Sequence, residues 1–456
     1  MRTFFRLLLG LPIFLAGQAL MAQEADAPLR MDLRSCVRYA LENATEVRQA
    51  RLQAERDRLE VAIERKRALP SIDLSSRLVY NFARPVDIAP GNLFGDPTGD
   101  RPIRFGKAIE GGIGLEGRLP VYDRSRAVGK SALAPLEEIN DLRQVLSQEE
   151  IALEVAKTYL QALSVQEKAA LLQANLDRII QLQELTRRQV ENGFAKPQNV
   201  DRLRVAQQNL EVNRRNLELQ YSQLLQALQF RMGMPYETGL QLVDSVRREE
   251  LPAPQSLHSE APIDNRTQLR LLELRSQLDE VKIDRIAAGA SPVVSIWGGI
   301  DLVAWGDNPA QWLRTDYWYG ASFLGLRLDY PLLGGPLRQA QIERARIEQA
   351  LGDETLARTR RGLQLQHDAA WTTLNVKYNE LESLDRNRQL AEEVYALTRR
   401  EYAEGLTPVM DLLSTELAAR EAQVNYLTAL IEAKTAYLEW LNANGRLLDH
   451  FNLPRQ

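Results

Sequence analysis

Two stretches, 124–191 and 337–403, read as helix from end to end, with Pro135 and Pro336 near their starts as the prolines closest to either. At a rise of about 1.5 Å per residue each would approach ~100 Å. A globular domain cannot bury a helix of that length, so each must lie in a coiled coil or a helical wall. The last helical stretch indicates which. Steps of four and three place Leu413, Leu417, Arg420, Val424, Leu427, Ile431, Lys434, Leu438 and Leu441 on one stripe. Nearly opposite runs a second stripe: Thr415, Ala419, Ala422, Tyr426, Ala429, Ala433, Ala436 and Trp440. One stripe makes a two-stranded coiled coil; two nearly opposite stripes make a helix with a neighbour on each side, as in a cylinder wall. The stretch through Leu203, Ala206, Leu210, Leu217, Leu224 and Ala227 echoes the pattern more weakly, broken by Asn213 and Gln220. A long antiparallel bundle with a buried core is the plainer alternative.

The chain repeats itself at a shift of 211 to 212 residues. Gly114-Leu115 and Pro120 return as Gly325-Leu326 and Pro331, LTRRQVENG at 185–193 returns as LTRREYAEG at 397–405, and Gly233 returns as Gly445. That period is far longer than a solenoid repeat, so a domain-sized unit is duplicated. The expected units are 23–233 and 263–445, joined by a Pro- and charge-rich segment, 234–262, and followed by a tail, 446–456. Each runs helix, strand, loop, strand, long helix, tight turn, helix. The opening helices fall near Val37–Lys66 and Gln268–Ile286, and the closing hairpin helices at 198–232 and 408–444.

Four segments alternate with period two: 71–82, 109–121, 293–304 and 318–330. In the first, Ile72, Leu74, Ser76, Leu78, Tyr80 and Phe82 point one way, and Asp73, Ser75, Arg77, Val79 and Asn81 the other. The third and fourth are more apolar on both faces. Each is close to or above the roughly 9 to 11 residues that a tilted strand needs to cross a bilayer. Aromatic residues gather at segment ends (Tyr80, Phe82, Trp305, Tyr317, Trp318, Tyr319, Tyr330), the level that such rings prefer in a membrane. A half-buried soluble strand alternates too. In lipid, though, an open strand edge leaves backbone groups unsatisfied, so a membrane sheet must close. Four strands fall short of the smallest membrane barrels, about eight, whereas three copies would supply about twelve. The linking stretches 83–107 and 306–316, rich in Pro, Gly and Asp, would be outer loops.

Residues 1–22 read as a secretory signal peptide: Arg2 and Arg6 lead an apolar run, Leu7–Leu20, and Ala22 is a plausible cleavage point. A permanent anchor is the alternative reading. No later stretch has the roughly 20 apolar residues of a spanning helix. The net charge of −4 carries no basic excess for nucleic acid. Cys36 stands alone, which excludes a disulfide framework, and His258, His367 and His450 lie far apart with no partner at metal-ligand spacing. No nucleophile–histidine–acid set stands out. The residues suggest no enzyme, metal or cofactor.

The strand-to-helix passages GLEGRLPVYDRSR and GLRLDYPLLGG, with the turns ENGFAKPQNVDRLRV and AEGLTPVMDLL, resemble the TolC-like outer-membrane efflux family. The resemblance covers essentially the whole chain beyond the signal. It implies a mainly α fold of very long antiparallel hairpins forming an α-barrel, with four strands per chain in a trimeric twelve-stranded β-barrel. It also implies a passive duct in the outer membrane of a Gram-negative bacterium. Its partners would be outer-membrane lipid, a periplasmic adaptor (membrane fusion protein) and an inner-membrane transporter of RND, ABC or MFS type. By the same resemblance the adaptor grasps the hairpin tips, here Asn192, Gly193, Phe194 and Glu404, Gly405, Leu406. Gly193 and Gly405 suit a left-handed helix end, and Pro197 and Pro408 stop the first helix from continuing. The family closes its periplasmic aperture with a tyrosine before the glycine, a basic residue after it and two aspartates. Tyr402 and Asp411 match, while Thr407 stands at the basic position and Ser414 at the second aspartate. In the first repeat Asn199 aligns with Asp411, and Asp201 lies two residues on. Three converging Asp411 side chains would form an acidic ring favouring cations; a solvated or helix-capping Asp411 is the alternative. A soluble periplasmic coiled-coil adaptor is the competing function, because its hairpins would look alike.

Overall fold

The computed structural model describes residues 28–89, 99, 101–104, 106–257 and 263–453. The expected signal peptide, His258 and the last three residues of the tail lie outside them. In chain order the elements are β1 (Leu29–Met31), α1 (Leu33–Asn43), α2 (Thr45–Lys66), β2 (Ser71–Tyr80), β3 (Val86–Ala89), β4 (Arg101–Arg104), β5 (Ile109–Asp123), α3 (Arg124–Gly129), α4 (Leu133–Glu191) and α5 (Pro197–Met232). They continue with β6 (Leu240–Leu242), α6 (Thr267–Ala288), β7 (Val293–Gly306), α7 (Pro309–Trp312), β8 (Trp318–Asp329), α8 (Gly335–Ala403), α9 (Val409–Ala443) and α10 (Leu447–His450).

The chain packs as two compact units, and each draws on both expected repeats. One comprises the chain up to Thr45, Ile151–Ala253 and Lys377–Thr435. In it β1 pairs in parallel with β6, a short ladder that the sequence did not signal. Asp244 pins this corner: its Oδ2 accepts from the Leu33 N–H at 2.9 Å and from the Tyr159 hydroxyl at 2.9 Å. Cys36 is completely buried here, and burial beside Asp32 and Asp244 pushes its thiol up to about 12. The single opening helix expected over Val37–Lys66 is two, α1 and α2, parted at Ala44, whose ψ is 139°. The break lies where Gly233, left-handed at φ 68°, approaches so closely that a Cβ would strike the Asn43 carbonyl oxygen.

The other unit comprises Glu46–Glu150, Pro254–Val376 and the chain from Ala436. It holds a four-stranded antiparallel sheet in the order β2-β5-β7-β8. Its register sorts the side chains completely. Ile72, Leu74 and Leu78 share a face with Ile113, Leu115, Leu119, Ile296, Ile300, Leu302, Leu324 and Leu326. Every charged side chain of the four strands (Asp73, Arg77, Glu110, Glu116, Arg118, Asp123, Asp301, Arg327, Asp329) lies on the opposite face. The apolar character of β7 and β8 on both sides therefore conceals a division that cross-strand pairing makes plain. Two aromatic pairs join the charged face, Trp297 with Phe323 at 4.4 Å between ring centroids and Trp305 with Tyr319 at 5.7 Å. Pro120, which has no N–H for a central strand, sits at a bulge between Pro120 and Tyr122.

The first long helix begins at Leu133, not at 124. Residues 124–129 form α3 and 130–132 a 3₁₀ turn. Pro135 explains the shift, because its ring would collide with the Ser131 carbonyl in a continuous helix, whereas it is tolerated in a first turn. The expected outer loop 83–107 carries a small hairpin, β3 against β4. Along α9 the alanine stripe is buried at Ala419, Ala422, Ala429, Ala433, Ala436 and Trp440; of the other stripe Ile431, Leu438 and Leu441 are buried too, while Leu417 is exposed.

Gly233→Ala is expected to destabilise the protein by well over the roughly 1–2 kcal/mol of a left-handed alanine, because the backbone of Asn43 is in the way. Gly405→Ala, with φ 78° but nothing within 4 Å of its Cβ, should cost only that conformational amount. Comparing the two melting temperatures checks this.

Candidate functional site

The two hairpin turns belong to one compact unit and have the same backbone geometry. At the end of α4 the Phe194 N–H donates to the Gln189 carbonyl at 2.8 Å and the Gly193 N–H to Val190 at 3.0 Å. At the end of α8 the Leu406 N–H donates to Glu401 at 2.9 Å and the Gly405 N–H to Tyr402 at 3.0 Å. Both are Schellman closures with glycine at φ 78°. The next helices start on Pro197 and just after Pro408, where a missing N–H costs nothing. The closure turns the side chain after each glycine outward: Phe194 is 85% exposed and Leu406 73%. Asn192 and Glu404 are exposed beside them.

The expected aperture residues divide into separate pairs. Tyr402 is buried and its hydroxyl lies 2.7 Å from Thr186 Oγ1. Thr186 Oγ1 itself donates to the Leu182 carbonyl at 2.8 Å, so Tyr402 is the donor in the pair. This joins α8 to α4 within one protomer. The Gln189 side chain donates to the Tyr402 carbonyl at 3.4 Å. Around it Leu182, Leu203, Val409 and Leu412 close a buried cluster. Thr407, at the family's basic position, donates its hydroxyl to Glu401 Oε2 at 3.1 Å. Asp411 stands exposed in the first turn of α9, where the helix dipole favours a carboxylate. Ser414 donates its hydroxyl to the Asp411 carbonyl at 2.9 Å. Asp201 faces Arg204 on its own helix at 3.5 Å, and Asn199 is half-buried nearby in α5. Tyr402, Thr407 and Asp411 are thus not bonded to one another within the chain.

Sequence reasoning missed Thr186 and Glu416. The first had a signal: LTRR occurs at both 185–188 and 397–400, and in each copy the threonine is buried and bonded to the carbonyl four residues back. Glu416 had none, because it sits in an ordinary helical pattern. It is 6% exposed, its Oε1 has no hydrogen-bond partner, and burial pushes its carboxyl up against the opposing pull of Arg420 and Arg178. The Tyr395 hydroxyl is likewise buried without a partner. Among the described residues no group of three or more side chains could hold a metal ion.

Residues 305–446, from the end of β7 to just past α9, match the family model described as outer membrane efflux protein. The fold of the chain is that of solved outer-membrane channels. It superposes on the CmeC outer membrane channel of Campylobacter jejuni with a TM-score of 0.71 at 12% identity, covering 91% of this chain and 86% of that one. For the outer membrane protein VceC of Vibrio cholerae the TM-score is 0.70 at 14% identity, covering 91% and 96%. The open state of the MtrE outer membrane channel of Neisseria gonorrhoeae gives 0.65 at 16%, covering 91% and 89%. No curated protein matches by sequence. The family model thus covers the second repeat alone, and the likeness to the solved channels is one of fold.

Removing either partner of the hydroxyl pair, by Tyr402→Phe or Thr186→Val, should cost about 1 kcal/mol, and removing both barely more. A double-mutant cycle in denaturant measures the coupling; strictly additive losses would contradict the bond. Glu416 gives a pH dependence of definite sign. A carboxyl raised by folding stabilises fully below its unfolded value, about 4.3, and that contribution is lost as pH rises through the raised folded value. The melting temperature of the wild type should therefore fall relative to that of Glu416→Gln as pH rises above about 4.5.

Proposed function

We propose that three copies of this chain form the exit duct of a tripartite efflux or type I secretion system, conducting substrates passively from the periplasm to the exterior. The observation that carries this reading is the sheet with two unpaired edges. β2 and β8 each have a partner on one side only, yet they are 10 and 12 residues long. Their apolar face suits lipid, and lipid forbids open edges. Because β2 and β8 run in opposite senses, β8 of one copy meets β2 of the next as an antiparallel pair, and closure needs no new kind of contact. The face with all the strand charges then lines the bore.

The helices support the same count. Leu390, Val394 and Leu397 of α8 are exposed at steps of four and three, the spacing of a seam that lacks its partner helix. On α9 Leu417 is exposed. Neighbouring copies would cover both.

At the tips, exposed Phe194, Leu406 and Met410 offer the apolar contacts that a periplasmic adaptor (membrane fusion protein) would bury, bringing with it an inner-membrane transporter of RND, ABC or MFS type. Asp411 of each copy, free of any described side-chain partner, is available for an acidic ring at the mouth.

Protein purified in mild detergent should have three times the protomer mass and fractionate with the outer membrane. A stable monomer that needs no detergent would overturn the assembly. The pair Phe194→Glu and Leu406→Glu should leave the trimer intact while abolishing crosslinking of the tips to the adaptor; undiminished crosslinking would move the docking site elsewhere.

A further inference from the structure

The passage from strands to helices holds a cavity of about 840 Å³, lined by α2, the segment from the end of β5 to the start of α4, and α6. Seven cationic and four acidic side chains line it. The acids are all engaged: Asp57 by Arg56 and Arg143, Glu60 by Arg56, Glu64 by Arg67, and Asp123 by Arg126. The surplus is Lys130, Arg275 and Arg285, which have no ion-pair partner among the described residues. Arg285 is placed by contact. Its guanidinium lies over Gly129, next to Lys130, so near that a Cβ on Gly129 would meet its Nε and Cζ at 3.7 to 3.8 Å. Three unpaired cations in one hollow call for an anion of more than one charge or for one held by several donors.

Next to it on the sheet is a second hollow, of about 700 Å³, and this one is apolar. Gly117 and Gly298 are cross-strand partners on the uncharged face and form its floor. Ile72, Leu115, Leu119, Ile300 and Leu324 line it. The two hollows are close along the chain. Arg67 lines the first and Pro70 the second, and on β5 Leu119 lines the second and Asp123 the first. Leu69, Val121 and Tyr122 are exposed in the stretches between. Four residues of strand span about 13 Å, comparable to the depth from a lipid phosphate to the upper part of its chains. Tyr122 shares the uncharged face, with its ring where a headgroup region would lie.

We propose that this junction binds one anionic phospholipid, its phosphate held by Lys130 and Arg285, with Arg275 further along α6 adding positive charge to the hollow, and an acyl chain lying in the groove over Gly117 and Gly298. The inference rests on the reading of the sheet as a membrane sheet and adds to it a defined site in the leaflet next to the helices. Basic pockets at the membrane surface take such headgroups. The groove supplies what a soluble anion could not use.

The test uses the full trimer in nanodiscs of mixed phosphatidylglycerol and phosphatidylcholine, with native mass spectrometry of retained lipid. Wild type should retain phosphatidylglycerol preferentially. Lys130→Ala with Arg285→Ala should weaken retention about 25-fold, at roughly fivefold per charge. Gly117→Leu should displace the chain while leaving the charges. A Cβ there meets nothing closer than 3.7 Å, so the variant fits the sheet. Retention lost in the charge variant but unchanged in Gly117→Leu, and competed by inorganic phosphate, would make this a soluble-anion site and overturn the lipid. Equal retention in all three proteins would overturn the site altogether. Fractionation of each variant separates the two readings: if wild type is absent from the outer membrane the membrane sheet itself fails, whereas membrane-borne protein without preference sinks only the lipid site.

Discussion

An unpaired strand edge is the constraint on which the molecule turns. Water forgives unsatisfied N–H and C=O groups along β2 and β8, because it hydrogen-bonds them; hydrocarbon does not, and each such group there costs several kcal/mol. The register divides the sheet into one face without charge and one with all of the charges, the arrangement on which the proposed membrane setting rests. A single chain cannot meet both demands with four strands. The long helices pose the same problem in milder form, because the exposed leucines and valine of α8 form a seam with no partner helix among the described residues.

Much of this was legible in the residues. Helix length, the two stripes of the last helix and the period-two segments all depend on local spacing, which the sequence displays directly. The alanine stripe indeed packs inward, because small side chains allow close approach of a neighbouring helix. Other features depend on contacts that spacing cannot report. The break at Ala44 lies against Gly233, nearly two hundred positions away. The division into compact units cuts across the duplicated sequence, because long helices from both repeats pack side by side. Pro135 was visible, but its effect was underestimated: it moves the start of the long helix to Leu133 and makes α3 a separate element.

The candidate site was half legible for the same reason. Both turns could be located from glycine and proline alone, since a left-handed helix end has few chemical solutions. Which side chains meet at the tips could not. Tyr402 was singled out by resemblance, yet its partner Thr186 lies on a different helix and is recognised only once α4 and α8 are packed. Thr407 and Ser414, which replace charged residues of the family pattern, are absorbed in local bonds to Glu401 and to the Asp411 backbone. The tip is therefore held by hydrogen bonds within the chain, one of them to the Glu401 carboxylate, and no described side chain bonds the Asp411 carboxylate.

Cys36 has a practical bearing on all of this. It is the sole thiol of the chain, fully enclosed and with its ionisation suppressed. Thiolate is the reactive species toward alkylating and spin-labelling reagents, so the native background is silent. Single cysteines introduced at Phe194, at Leu406 or along the edges of β2 and β8 would report distances and pairing unambiguously, without first removing a residue that the interior needs.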